Sequence, residues 1–121
     1  MQSDANMSFN DSVYISKAEL EKLKIDASSG NGKAASKLAH YFAFYEFNQD
    51  KFIFWLVRAA ESSNTQAQHD LAYIFFDHYQ DSNDKNKLYE AEKWALRAQK
   101  NGMPITGLLT EIQTEKQNLT R

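Results

Sequence analysis

The feature that most constrains this chain is a segment it carries twice. Phe52-Ile-Phe-Trp55-Leu-Val-Arg58-Ala59-Ala60 returns 39 residues later as Ala91-Glu-Lys-Trp94-Ala-Leu-Arg97-Ala98-Gln99. Trp and the Ala four residues on keep their spacing in both copies, and residues four apart share one face of a helix. Each copy follows a second matching block, Ala34-x3-Leu38-Ala39-x2-Phe42 and then Ala67-x3-Leu71-Ala72-x2-Phe75, offset by 33 residues. Two blocks repeated in the same order predict a two-helix repeat. Such a repeat buries its apolar face against its neighbours and so decides the architecture before any other signal is read.

Punctuation along the chain predicts about six helices and no strand. Residues 1–12 are polar and read as a loosely held tail; Val13-Tyr14-Ile15 leads into a first helix over about 17–27. Ser16-x-x-Glu19 has the form of a capping box. Ser28-Ser-Gly30-Asn-Gly32 ends that helix, because Gly and Asn accept the left-handed backbone of a helix terminus. The second helix is expected over about 33–44, the third over 51–61 and the fourth over 65–79, capped by Asn64 or Thr65. Residues 80–87 read as a polar loop, and a fifth helix over 88–100 stops at Asn101-Gly102. A last helix begins at Met103-Pro104, with Pro in its first turn, and carries Ile105, Leu108, Leu109 and Ile112. The expected layout is one helical-repeat domain over 13–121: a capping helix at 16–28, repeats at 30–62 and 63–101, and a C-terminal cap at 103–121.

With 121 residues, 42% hydrophobic and 13% aromatic, the chain is long enough for one core and too apolar to be disordered. A net charge of −2 with scattered Lys and Arg argues against a nucleic-acid partner. No apolar run approaches the roughly 20 residues of a spanning helix, so membrane insertion is not expected. The absence of Cys excludes disulfides and thiolate metal sites. Met1-Gln-Ser-Asp-Ala-Asn lacks the basic and apolar parts of a leader, which reads as cytoplasmic; a periplasmic protein whose leader had been removed would look the same.

The duplicated residues resemble the Sel-one-like repeat (SLR), a branch of the tetratricopeptide superfamily. Its first helix reads Ala-x3-Leu-Gly-x2-Tyr, matched by Ala34, Leu38, Ala39 and Phe42 and by Ala67, Leu71, Ala72 and Phe75. Its second reads Ala-x2-Trp-x3-Ala-Ala, matched by Phe52, Trp55, Ala59 and Ala60 and by Ala91, Trp94, Ala98 and Gln99. Gly30, Ser63 and Gly102 fall at the inter-repeat turn. Ala39 and Ala72 replace the family's helix Gly, Phe42 and Phe75 replace its Tyr, and its Gly-rich internal loop is missing. The resemblance covers about residues 27–102. It implies an all-α solenoid of antiparallel hairpins in a right-handed superhelix that holds a protein partner, without enzymatic activity. Short bacterial examples act as immunity or adaptor proteins.

The histidines His40, His69 and His78 lack the convergent spacing of a metal site, and Asp77-His78 reads as a polar helix end. Residues 81–92 have the outline of a calcium loop, but Lys85 and Asn86 stand where an oxygen ligand and a Gly are needed. No phosphate loop, nucleophile elbow or His-Glu-x-x-His helix is present, so neither cofactor nor metal is expected. Aromatic residues carry more information: Tyr41, Phe42, Phe44, Tyr45, Phe47, Phe52, Phe54 and Trp55 fall within fifteen residues, more than one helical stripe can bury. The candidate partner-binding set is the non-core positions of the first helix of each repeat: His40, Tyr41, Phe44, Tyr45, His69, Tyr73, Asp77 and His78. A dedicated protein partner is expected, most sharply a toxin or effector neutralised by this chain; a general adaptor, open to homodimer formation, and a small metal-binding or hydrolytic protein are the alternatives.

Overall fold

A computed structural model describes residues 14–121, and among them the chain forms six helices and no strand. These are α1 Lys17–Ser28, α2 Gly32–Phe44, α3 Gln49–Glu61, α4 Thr65–Ser82, α5 Lys85–Lys100 and α6 Thr106–Leu119. The predicted tail at 1–12, and Val13, lie outside the described residues. The all-helical reading holds. The chain divides into two compact units, one ending at Ser62 and the other spanning Ser63–Arg121.

Five of the six helix starts are capped by a side chain. Ser16 Oγ accepts from Glu19 N–H at 3.2 Å. The return half of the capping box is replaced, since the Glu19 carboxylate pairs with Lys37 at 2.8 Å. Asn31, Asn48 and Asn64 each accept from the N–H three residues on, at 3.0, 3.0 and 2.9 Å, and Asp84 Oδ1 accepts from Asn86 N–H at 2.9 Å. α6 has no side-chain cap and starts after buried Ile105, leaving Pro104 outside its first turn.

In the first unit α2 packs on α1 and α3, and in the second α5 packs on α4 and α6. The matching blocks supply both cores: Leu38, Ala39 and Ala59 in one, Leu71, Ala72 and Ala98 in the other, all fully buried. Small Ala side chains let helix axes approach, and Trp55 and Trp94, both buried, fill the wider gaps.

The predicted loop at 80–87 is a two-residue connection. α4 continues to Ser82, Asn83 closes it in the left-handed region at φ 59° with its N–H on Tyr79 O at 2.7 Å, and Asp84 caps α5 at once. The polar residues that suggested a loop are the solvated faces of two helix ends. α4 is five residues longer than α2, α5 three longer than α3, and their connection two shorter. The six extra residues of the second copy therefore lengthen helices. Since Lys85 onward is helical, the calcium-loop outline has no loop to occupy.

Candidate functional site

In α2, His40 is exposed and its ring stacks on Phe44, with centroids 6.1 Å apart and planes at 17°. His40 Nδ1 lies 2.9 Å from the Ser36 carbonyl. A carbonyl only accepts, so in this contact Nδ1 is the donor. Phe44 is 39% exposed.

Tyr41 is placed differently. It is buried, stacks on Tyr45 at 5.3 Å and donates its hydroxyl to Glu46 Oε2 at 2.9 Å. Burial, then the Glu46 hydrogen bond and charge, push its pKa up to about 12. Tyr45 is half-buried, with exposed Tyr14 edge-on to it at 5.3 Å. Of the four candidates here, His40 and Phe44 are exposed, Tyr45 is half-buried, and Tyr41 is buried with its ring stacked on Tyr45.

α4 carries the second set. Half-buried His69 has its ring 5.0 Å from Tyr73 and its Nδ1 3.2 Å from Asp70 Oδ1, which also accepts from Gln66 Nε2 at 2.9 Å. Tyr73 is 42% exposed, and Asp77 is exposed one turn on. His78 turns to another side, half-buried and edge-on to Phe75 at 6.2 Å. Among the described residues no group of three or more His, Asp or Glu gathers around a common point.

Positions 36, 40 and 44 of α2 and 69, 73 and 77 of α4 are offset by 33 residues throughout. Each trio recurs every four residues and so forms one stripe along its helix. The stripes read Ser36-His40-Phe44 and His69-Tyr73-Asp77: rings with directional polar groups, and no Lys or Arg.

The structure also exposes apolar side chains outside that candidate set, Phe47, Phe54 and Leu96 among them. Phe47, in the α2–α3 turn, is 69% exposed, and Phe54 and Leu96 are each about half exposed. Phe54 borders an open groove of about 350 Å³ lined by Val57, Arg58 and Glu61, with the Arg58 guanidinium 5.0 Å above its ring. The signal for Phe54 was in the duplication: its counterpart is Lys93, a residue type that belongs in water.

No family model, curated protein or solved structure matches this chain. The SLR resemblance therefore rests on the residues quoted for it, and the functional reading must come from the site itself. No helix among the described residues is long and apolar enough to cross a membrane.

Proposed function

We propose that this chain is a non-catalytic protein-binding module that works through the exposed stripes of α2 and α4. The observation that carries the reading is the pair of stripes at matched positions, each combining an exposed ring with directional polar groups. Rings supply the apolar contact that dominates binding energy, and polar groups fix orientation. Nucleic acid fits poorly, because phosphate recognition depends on Lys and Arg that the stripes lack.

In the finer form of this reading, α2–α3 and α4–α5 are antiparallel hairpins of a short SLR-like solenoid whose first helices line one face. A protein partner, such as a toxin neutralised by this chain, is what the resemblance to bacterial immunity proteins implies. The test is affinity capture from native lysate with the full chain and with Phe44→Ala and Tyr73→Ala variants, read by quantitative mass spectrometry. A specific partner retained by the parent chain and depleted by both variants supports the module. Equal retention by all three would overturn the stripe assignment, and copurification of a processed small molecule would redirect the reading to catalysis.

A further inference from the structure

Phe47 is the most anomalous residue on the described surface. Its backbone is left-handed, at φ 55°, where a Cβ crowds the neighbouring carbonyl and a bulky side chain is disfavoured. The other left-handed positions hold Gly30, Ser63, Asn83 and Gly102, all small or turn-forming. Its ring also gains little from folding, being 69% exposed. Backbone strain of this kind collects at functional sites, and exposed apolar area is what a contact with another molecule buries.

The charges beside the ring say what that contact carries. Glu46 and Asp50 are exposed on either side of Phe47 in sequence. Glu46 is not free to swing, because the buried Tyr41 hydroxyl holds its Oε2 at 2.9 Å. Exposed Phe47 thus lies in sequence between two exposed acids, Glu46 held by Tyr41 and Asp50 in the first turn of α3, while the next residue, Lys51, is turned onto the Phe42 ring at 5.2 Å.

The second unit carries the reverse pattern. Leu96 of α5 is 49% exposed, with Lys93 and Lys100 one turn away on either side and Arg97 next to it. Lys93 and Arg97 are set over the buried Trp94 ring at 4.7 and 4.9 Å, which limits the rotamer freedom a contact would remove. Glu90 pairs with Lys93 at 3.1 Å and Glu92, one turn before Leu96, with Lys116 at 2.9 Å, so Arg97 and Lys100 are the cations of this face with no acid partner among the described residues.

We propose that the chain self-associates, the acid-flanked Phe47 turn of one copy seating on the base-flanked Leu96 face of α5 in another. Opposite charge around two exposed apolar centres makes the surfaces complementary, and every copy carries both at equal concentration. The contact is heterologous, since different patches meet. It uses none of the stripe residues, so it stands or falls apart from the protein-binding reading.

The experiment is sedimentation velocity on the full chain across concentration and salt, with two charge-swap variants: Glu46→Lys with Asp50→Lys, and Lys93→Glu with Arg97→Glu. Self-association that weakens as salt rises is expected for the parent chain. Each variant alone should sediment as a monomer, since it now sets like charge against like. An equimolar mixture should associate again, because both contacts regain opposite charge, and that recovery also shows that the variants fold. Phe47→Gly should raise the melting temperature while weakening association about tenfold or more, and Tyr73→Ala should leave association unchanged. A parent chain that stays monomeric to about 1 mM, the weak end of measurable affinity, would overturn the proposal. So would association surviving in both swapped variants, or failing to return on mixing; in those cases another surface or a different protein covers these patches.

Discussion

The two helix pairs have matching cores and different coats. Leu38, Ala39 and Ala59 and their counterparts Leu71, Ala72 and Ala98 are all excluded from water. Each first-helix Phe is roofed by a Lys from the first turn of the following helix, Lys51 over Phe42 at 5.2 Å and Lys87 over Phe75 at 5.5 Å. Around the Trp the likeness ends. Trp94 is covered by Lys93 and Arg97, whereas at Trp55 the first of those positions is Phe54, edge-on at 4.9 Å, and Arg58 lies over that ring instead. Interior positions answer to packing, which tolerates little change. Outer positions are free to vary, and the divergence of the two copies is concentrated there.

The largest test of the shared core is truncation of the two Trp. Trp94→Ala and Trp55→Ala should each cost about 3–5 kcal/mol, as buried aromatic truncations do. Trp94→Ala should cost more, since Trp94 is 1% exposed against 8% for Trp55. Urea unfolding monitored by circular dichroism measures both. A larger loss at Trp55 would mean that Phe54 and Arg58 bury more than an outer coat does. Trp94 also has its Nε1–H buried without a hydrogen-bond partner among the described residues, so Trp94→Phe should cost less than its lost volume suggests.

A smaller effect separates the pairs at their first helical residue. A Cβ added at Gly32 would stand 2.8 Å from Ser62 Cβ, whereas the matched position in the second copy is Thr65, which already carries a side chain. Gly32→Ala should destabilise by about 1–3 kcal/mol through overpacking. Ser62→Gly in the same chain should recover most of that loss, and Ser62→Ala should not, because its Cβ remains. Recovery by both would locate the clash at the hydroxyl, which also donates to Gly30 O at 3.2 Å.

The sequence reading succeeded where a residue's role is local. Asn64, Gly30 and Asn101-Gly102 mark helix ends by chemistry that acts within four residues, and the Ala, Leu and Trp spacings located the cores. It misplaced the segment 80–87 because polar residues serve equally in loops and on solvated helix faces, and the αL turn at Asn83 requires only one residue. For the candidate site, the stripe period was legible, while depth was not. Tyr41 and Tyr45 lie four apart on one helix, yet one is buried by its surroundings and the other is half-exposed. The aromatic crowding that includes Phe47 was legible, but nothing in its neighbours' identities reveals its left-handed backbone.

Tyr41 gives a pH-dependent form of the comparison, since its matched position is Ile74, which cannot titrate. Its pKa is raised from 10.0 to about 12 in the folded chain. A pKa higher when folded means that the contribution is complete below pH 10 and is lost as pH rises through about 12. Stability should therefore fall as pH rises through that window, and Tyr41→Phe should remove the part of the fall that Tyr41 supplies. The Tyr79 hydroxyl, donating to Glu115 at 3.0 Å, is also raised by burial and by that carboxylate, so the second unit responds in the same direction. Tyr41→Phe should also cost about 1 kcal/mol at neutral pH, the net worth of one hydrogen bond.

The smallest expected effect tests whether three helix ends are interchangeable. α1, α3 and α5 are each followed by a left-handed residue, Gly30 at φ 104°, Ser63 at φ 70° and Gly102 at φ 92°. At Gly30 and Gly102 the chain closes with paired bonds of the Schellman type: Gly30 N–H to Ala27 O with Asn31 N–H to Asp26 O, and Gly102 N–H to Gln99 O with Met103 N–H to Ala98 O. A Cβ added at either glycine meets nothing within 4 Å, so its cost there is conformational alone. Ser63 already bears that cost. Ser63→Gly should therefore stabilise by about 0.5 kcal/mol, the relief of a left-handed Cβ less the extra freedom glycine gives the unfolded chain. Gly30→Ser and Gly102→Ser should lose a comparable amount, measurable as small opposite shifts in urea midpoint at constant slope. If Ser63→Gly instead lost stability, its side chain would be making a favourable contact that the two glycine ends do without, and the three ends would not be equivalent.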